Sequence, residues 1–334
     1  MSRLKQAIGC VMILSLILSL IFFFSGTGAA ADKSKWPQKM NVVGGPMGGA
    51  GFTSMSAWSP QMNTLLGTNI AAEATGGITI NTQMVNNNQA HFGVSTTTEA
   101  LEGWEGSAKW TKGNKLRNYR AMAILDPFAT QFFSLKSSNI TNIRQINGKS
   151  VNLSRAGSST DYWGRKLFEV FDIKPSKILN LNPSDACNLL GDRLLDVATV
   201  QGGLPHPAIA EASVNNELTV FGVSPKDFET LSAKYPSLYQ VNAPGGVYKG
   251  QKDPFVTFGS YTLLIAHKDI PDDLVFELVQ ATFKNREQLA AAYKAYMLLK
   301  PEDVKYSPIP LHRGAYQYYQ KAGVTVPKAA MPLE

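Results

Sequence analysis

The chain predicts an α/β fold of two lobes, each a mixed, mostly parallel sheet flanked by helices. Three observations carry this expectation. Short apolar runs alternate with segments of helical periodicity, the pattern of a sheet covered on both faces. Two of those runs end in loops of small residues that lead into helices: Val42-Val43 runs into Gly44 to Ser54, and Val151-Asn152-Leu153 runs into Ser154 to Asp161. Finally, 334 residues exceed what one comfortable core organises, so the chain divides.

Taken in order, Asp32 to Gln38 reads as a polar tether and Val42-Val43 as a strand, followed by a helix from Ser54 to Leu66. Ile70 to Ala74 is a second strand that closes on Thr75-Gly76-Gly77, Ile78 to Asn88 a helix, and Phe92-Gly93-Val94 a strand with Ser95-Thr96-Thr97-Thr98 at its far end. Glu102 to Asn118 lacks helical or alternating periodicity and is expected to be a surface excursion. Ala121 to Leu125 and Phe132 to Leu135 are strand-like, with Asp126-Pro127 breaking them, and the first crossing between lobes is expected there. Ile146 to Lys149 then turns the chain into the strand at Val151, a helix runs from Thr160 to Phe171, and Val197 to Val200 is a buried strand ending at Gln201-Gly202-Gly203. Phe255 to Ala266, β-branched and aromatic, is the returning strand, and Pro271 opens a helix whose apolar face runs through Phe276, Leu278, Val279 and Phe283 towards Leu289. The expected organisation is an export signal over 1–31, lobe 1 over 32–125, lobe 2 over 126–266, and a helical segment over 267–334 that returns to lobe 1.

Arg3 and Lys5, the apolar stretch from Val11 to Phe24 and the small residues Gly26 to Ala31 follow the order of a secretory signal, with a cut expected near Ala31. An uncleaved anchor is the alternative, since the apolar run starting at Ile8 approaches the shortest membrane span. Cys10 precedes the apolar stretch and is badly placed to be a lipoprotein cysteine. Cleavage would remove two of 32 basic residues against 25 acidic ones, leaving a mild positive charge that says little about partners. It would also leave Cys187 as the sole cysteine, so a hydrophobic core and no disulfide frame must hold the exported chain.

Each small-residue loop leaves the first N–H groups of a helix unpaired, and its glycines let a ligand approach the main chain, so each is a seat for a small anion. Two seats facing each other would form a clamp around a carboxylate, and a chain that leaves one domain, builds another and returns makes a hinged cleft. The first loop matches no nucleotide fingerprint: no Gly-Lys-Ser/Thr follows it, Gly-x-Gly-x-x-Gly is absent, and only the spacing of Glu73 suits a ribose acid. The same glycines would also serve a tight strand-to-helix turn. Ser158, Ser159 and Thr160 could simply cap a helix. Ser158 as a nucleophile would need a base, and His91, His206, His267 and His312 carry no spacing cue for one. Arg155 stands where a guanidinium could grip a carboxylate by two hydrogen bonds, or it could be solvated on the outside of the loop. Trp104, Trp110, Lys112, Lys115, Arg117, Tyr119 and Arg120 interleave rings and bases as nucleic-acid surfaces do, but within one loop of an exported chain they read as a solvated excursion, and no nucleic acid is expected. His206 lies between two prolines and is expected to shape the hinge or the cleft rim. No histidines or carboxylates share a ligand-like spacing, so neither a metal nor a cofactor is expected.

The order of motifs resembles the TAXI family of substrate-binding proteins that serve TRAP transporters. The resemblance rests on Gly44 to Phe52, Glu73 to Gly77, the Ile143 to Lys149 turn before Gly157-Ser158-Ser159-Thr160, Gly203 to Ala208, Pro244 to Gln251 and Pro310 to Ala315. It implies a two-lobed periplasmic binding protein fold of type II-like topology. It also implies a periplasmic receptor that captures a small anionic or zwitterionic solute, an organic acid or amino acid, and delivers it to TRAP permease membrane subunits. Carried over position by position, the ligand-binding residues would be Gly48, Gly49, Phe52 and Thr53, then Thr75, Gly76 and Gly77, then Ser95, Thr96 and Thr97. From lobe 2 they would be Arg155, Ser158, Ser159 and Thr160, then Gln201, Gly202 and Gly203. Met47, Ala50 and Gly51 depart from the Thr and Tyr residues usual in the first loop, and Ser159 replaces a common glycine in the second. No catalytic residue is expected. An exported hydrolase, a dehydrogenase-like enzyme and a sensor domain uncoupled from transport are the alternatives.

Overall fold

Every named strand of residues 33–333, the span that the computed structural model describes, belongs to one ten-stranded sheet. The expected export signal, its cut near Ala31 and Cys10 lie outside the described residues. One half of the sheet is a parallel trio in which β1 (Met40–Gly45) lies between β2 (Ile70–Ala74) and β3 (Phe92–Thr96). The other half repeats the arrangement: β5 (Ser150–Asn152) lies parallel between β6 (Lys177–Leu179) and β7 (Val197–Gly202). Two long strands join the halves. β4 (Tyr119–Leu135) and β10 (Phe255–His267) run antiparallel to each other, with β10 on β3 and β4 on β7. β8 (Leu218–Phe221) adds to the far end of β4, and β9 (Tyr239–Ala243) to the early part of β10. The result is the expected two-lobed α/β fold, with a parallel trio in each lobe and two strands shared between them.

The helices follow the strands as connections between parallel neighbours require. In the first half these are α1 (Ala50–Leu66), α2 (Ile78–Asn86) and α3 (Thr97–Glu105). In the second they are α4 (Ser159–Phe171), α5 (Pro183–Gly191), α6 (Pro207–Asn215) and α7 (Pro225–Lys234). The closing segment contributes α8 (Asp272–Lys284), α9 (Arg286–Ala292) and α10 (Arg313–Lys321). α1 buries Met55, Trp58 and Met62, and the Trp58 indole donates to Thr282 Oγ1 at 2.8 Å, tying α1 to α8. α4 buries Trp163, Leu167 and Phe168 against Val151, Leu153 and Phe258. The closing segment meets the start of β4, where the His312 N–H donates to the Ala121 carbonyl at 2.8 Å and Phe283 stacks on Tyr318.

Two expectations fail here for identifiable reasons. Asp126-Pro127 does not break a strand. β4 runs through it, with Pro127 opposite Tyr261 and a register shift in β10 between Tyr261 and Leu263. A proline has no N–H to give a ladder, and a bulge is the place a sheet tolerates one. The segment from Glu102 is also not wholly irregular, because α3 covers its first residues. Its start was legible as Thr96-x-x-Glu99, a capping box in which Thr96 accepts from the Glu99 N–H while the Glu99 carboxylate accepts the Thr96 hydroxyl.

Candidate functional site

α1 starts four residues earlier than its apolar periodicity suggested, and the glycines explain why. A Cβ on Gly51 would lie 2.3 Å from the Gly44 carbonyl oxygen and one on Gly44 2.6 Å from the Phe52 Cα. The end of β1 and the first turn of α1 are therefore in backbone contact, which only glycine permits. Gly49 occupies the N-cap position without a side-chain cap, and the helix leaves the N–H groups of its first turn without intrahelical partners. The second loop ends otherwise: Ser158 caps α4 by accepting from the Asp161 N–H at 3.3 Å. Asp161 accepts in turn from the Gly157 N–H at 3.1 Å and is paired with Arg165 at 2.8 Å, so the loop is braced from behind.

The two helix starts face one cavity of about 40 Å³. Gly49, Ala50 and Gly51 bring the start of α1, Gly77 and Ile78 that of α2, and Ser158, Ser159 and Thr160 that of α4. Pro183 adds the first residue of α5 and His206 the N-cap of α6. Five helix N-termini thus converge on one small space. Gly44, Pro46, Phe128, Ser154, Val200 and Gln201 complete the wall, which holds no Lys, Arg, Asp or Glu among the described residues. Each helix start carries roughly half a positive charge, so the cavity is electropositive without a cation.

The polar side chains of the wall are held by specific partners. His206 accepts from the Ala208 N–H at Nδ1, 3.2 Å away, which leaves the ring proton on Nε2. Burial alone pushes its pKa down to about 4, so the ring stays neutral and acts as a donor. Its own N–H donates to the Tyr248 hydroxyl at 2.7 Å, and Tyr248 donates to Gln131. The Gln201 amide donates to Thr130 Oγ1 at 2.6 Å, whereas its Oε1, buried, finds no partner. Ser159 donates to Glu99 Oε1 at 2.5 Å, and one turn further on the Tyr162 hydroxyl donates to Glu102 Oε1 at 3.1 Å. These two contacts join α3 to α4. A Cβ on Gly77 would lie 3.2 Å from the Ser158 Cα, so the loop after β2 also meets the loop after β5 at close range. Glu102 is pushed up to about 7, first by burial and then by the charge of Glu99 beside it.

Among the residues expected to bind ligand, the structure brings Gly49, Gly77, Ser158, Ser159, Thr160 and Gln201 to the cavity wall. The others stand behind it or away from it. Thr53 Oγ1 donates to the Gly49 carbonyl and Thr75 Oγ1 to Asn81 Oδ1 at 2.5 Å, so both brace their own loops. Ser95 pairs with Thr82, Thr96 with Glu99, and Thr97 Oγ1 accepts from the Tyr261 N–H. Gly202 packs on Ala50 and His206, and Gly203 on Asp126 and Tyr293. Gly48, Phe52 and Gly76 do not line the cavity. Arg155 is exposed, with Nε 2.5 Å from Asn182 Oδ1, and does not reach the wall. Pro183 was not expected in the wall and His206 was expected only to shape the hinge or the cleft rim, although both mark helix starts by a Pro in the first turn after a potential cap: Asn182-Pro183 and His206-Pro207.

Solved structures resemble this fold at low identity. A periplasmic binding protein named BugD aligns at 15% identity over 87% of this chain and 100% of its own, with a TM-score of 0.51. A periplasmic transporter aligns at 11% over 77% and 84%, TM-score 0.52, and a protein from Bordetella bronchiseptica RB50 at 12% over 88% and 86%, TM-score 0.51. Such identities speak for the fold alone, and that fold is the two-lobed periplasmic binding protein architecture. The motif order led to the expectation of the TAXI family; the family model that matches, over residues 45–323, is the NMT1-like one, and the chain belongs to the NMT1-like family.

Proposed function

We propose that the protein is a periplasmic solute receptor that closes its two lobes around a small carboxylate and passes it to a membrane permease. One observation carries this reading: five helix N-termini meet at a cavity whose wall holds no charged side chain among the described residues. Micromolar binding corresponds to about 8 kcal/mol. Hydrogen bonds to a charged group contribute roughly 1.5–3 kcal/mol each, and a helix start roughly 0.3–1, so a few aimed N–H groups and hydroxyls reach that value after ordering costs. Lobe 1 comprises 32–125 with the returning 267–334, lobe 2 comprises 126–266, and the hinge lies where Pro127 faces Tyr261. The exported chain loses 1–31. The solute leaves chemically unchanged, and the TAXI-like motif order favours a TRAP-type permease as the receiver.

The test is native mass spectrometry of the purified mature protein for carried solute, followed by a thermal-shift panel of small organic acids, amino acids, organic cations and neutral sugars. Short carboxylates are expected to raise the melting temperature and to be recovered intact after incubation. A panel in which only cations or neutral sugars bind would sink the anion seat. Turnover of any bound acid would make the protein an enzyme.

A further inference from the structure

The cavity offers hydrogen-bond donors almost everywhere: the first-turn N–H groups of α1 and α4, the hydroxyls of Ser158 and Thr160, and the Nε2–H of His206. It has one conspicuous exception. Gln201, a wall residue at the end of β7 and 7% exposed, spends its amide N–H on Thr130 and leaves a buried Oε1 without a partner. An orphaned acceptor in a buried site is costly, and a ligand that brings an O–H or N–H removes that cost. The solute therefore needs an acceptor-rich anionic end for the helix starts and one donor for Gln201.

The donor is more narrowly defined by the field around it. A protonated amine would enter a space ringed by five positive helix ends, with no carboxylate in the wall among the described residues to balance it. The nearby buried carboxylates are committed elsewhere: Glu99 to Thr96 and Ser159, Asp161 to the Gly157 N–H and Arg165, and Asp126 to Tyr293, whose hydroxyl lies 3.5 Å away. A neutral hydroxyl carries no such penalty. The space of about 40 Å³ also limits size, since a water molecule needs on the order of 10–15 Å³ by the same measure.

We propose that the solute is a short hydroxycarboxylate whose hydroxyl donates to Gln201 Oε1, and that Gln201 is the residue that separates hydroxy acids from keto, plain and amino acids. This rests on the reading of the cavity as an anion seat and adds the identity of the group beside the carboxylate.

Isothermal titration calorimetry of the mature chain with two matched sets tests it. The first set is glycolate, acetate and glycine; the second is lactate, pyruvate, propionate and alanine. Within each set the hydroxy acid is expected to bind on the order of tenfold or more tighter than its relatives, the discrimination a site built to pair one hydroxyl achieves. In Gln201→Met, which removes the acceptor and keeps the length, the hydroxy acid is expected to fall to within about threefold of the plain acid measured on the same variant, so that the discrimination between them is lost. Pyruvate or propionate binding as tightly as lactate in the native protein would overturn the assignment, as it would if the amide presented its NH₂ to the ligand. Alanine or glycine binding tightest would overturn it in favour of a zwitterion. Preserved discrimination in Gln201→Met would remove Gln201 from the role, and if that variant does not fold, the native series decides alone. Binding by no acid in either set would strike the anion seat itself, and the hydroxyl assignment with it.

Discussion

Arg155 and Thr160 lie five positions apart, one in the loop before α4 and the other in its first turn, and have opposite fates. The sequence left Arg155 two fates: to grip a carboxylate, which guanidinium matches in shape and charge, or to sit solvated outside the loop. Its side chain takes the second, exposed and bonded to Asn182, a partner that sequence spacing could not reveal because it belongs to the start of α5. Thr160, with no charge at all, lines the cavity. Arg155→Gln is therefore expected to leave carboxylate affinity within about twofold, since an exposed arginine contributes little, while Thr160→Val weakens it roughly tenfold; calorimetry compares them. Glu102 supplies a pH dependence. Its folded pKa of about 7 lies above the ordinary 4.5, so from about pH 4.5 to 7 the unfolded chain loses this proton while the native one keeps it. Its contribution to stability is thus greatest below pH 4.5, declines as pH rises through that window, and is fully lost above about pH 7. His206 acts in the opposite direction, because its lowered pKa makes stability fall as pH drops from 6.5 towards 4. Melting curves of native protein and Glu102→Gln across pH 4 to 8 separate them: the variant should lose the decline towards neutral pH and keep the fall on the acid side.

At the scale of elements, strands and helices were largely legible because each small-residue loop sits between a buried strand and a helix with an apolar face. What escaped was the partnership between α3 and α4. Glu99 and Glu102 are three residues apart on α3, as Ser159 and Tyr162 are on α4, so each pair projects from one face of its helix and the two faces meet. The capping box at Thr96 was readable, but it says only where α3 starts, and the facing helix is 60 residues away in the chain. The two hydroxyl-to-carboxylate bonds join helices that belong to different lobes and so act on closure. Tyr162→Phe removes one of them without changing the ring. It is expected to speed solute release several-fold while leaving the association rate nearly unchanged, as contacts formed after encounter do. Stopped-flow displacement measures both rates. A change confined to the association rate would mean that this contact forms before the solute is held.

On the scale of the whole molecule, two lobes were foreseeable from chain length and from the recurrence of one loop type, but the nature of their connection was not. Pro127 looked like the end of a strand. It is instead a bulge in a strand shared by both lobes, so the lobes are joined by two continuous strands, with irregular pairing at Tyr261 to Leu263. A shared sheet resists shear and allows bending where pairing is irregular, so the proposed movement is at Pro127 and Tyr261, and Gly77 lies against Ser158. Gly77 is the residue that lets this approach happen. Its φ of +149° suits only glycine, and a methyl group there would meet the Ser158 backbone. Gly77→Ala is therefore expected to destabilise the fold by about 1–2 kcal/mol through backbone strain and, separately, to keep the lobes from closing fully. Small-angle scattering distinguishes the two effects: native protein with saturating solute should contract, and folded Gly77→Ala should keep the radius of gyration of the unliganded state and bind more weakly. Full contraction with native affinity in the variant would mean that the lobes close about some other contact, and that the cavity between the helix starts is not completed by the meeting of these two loops.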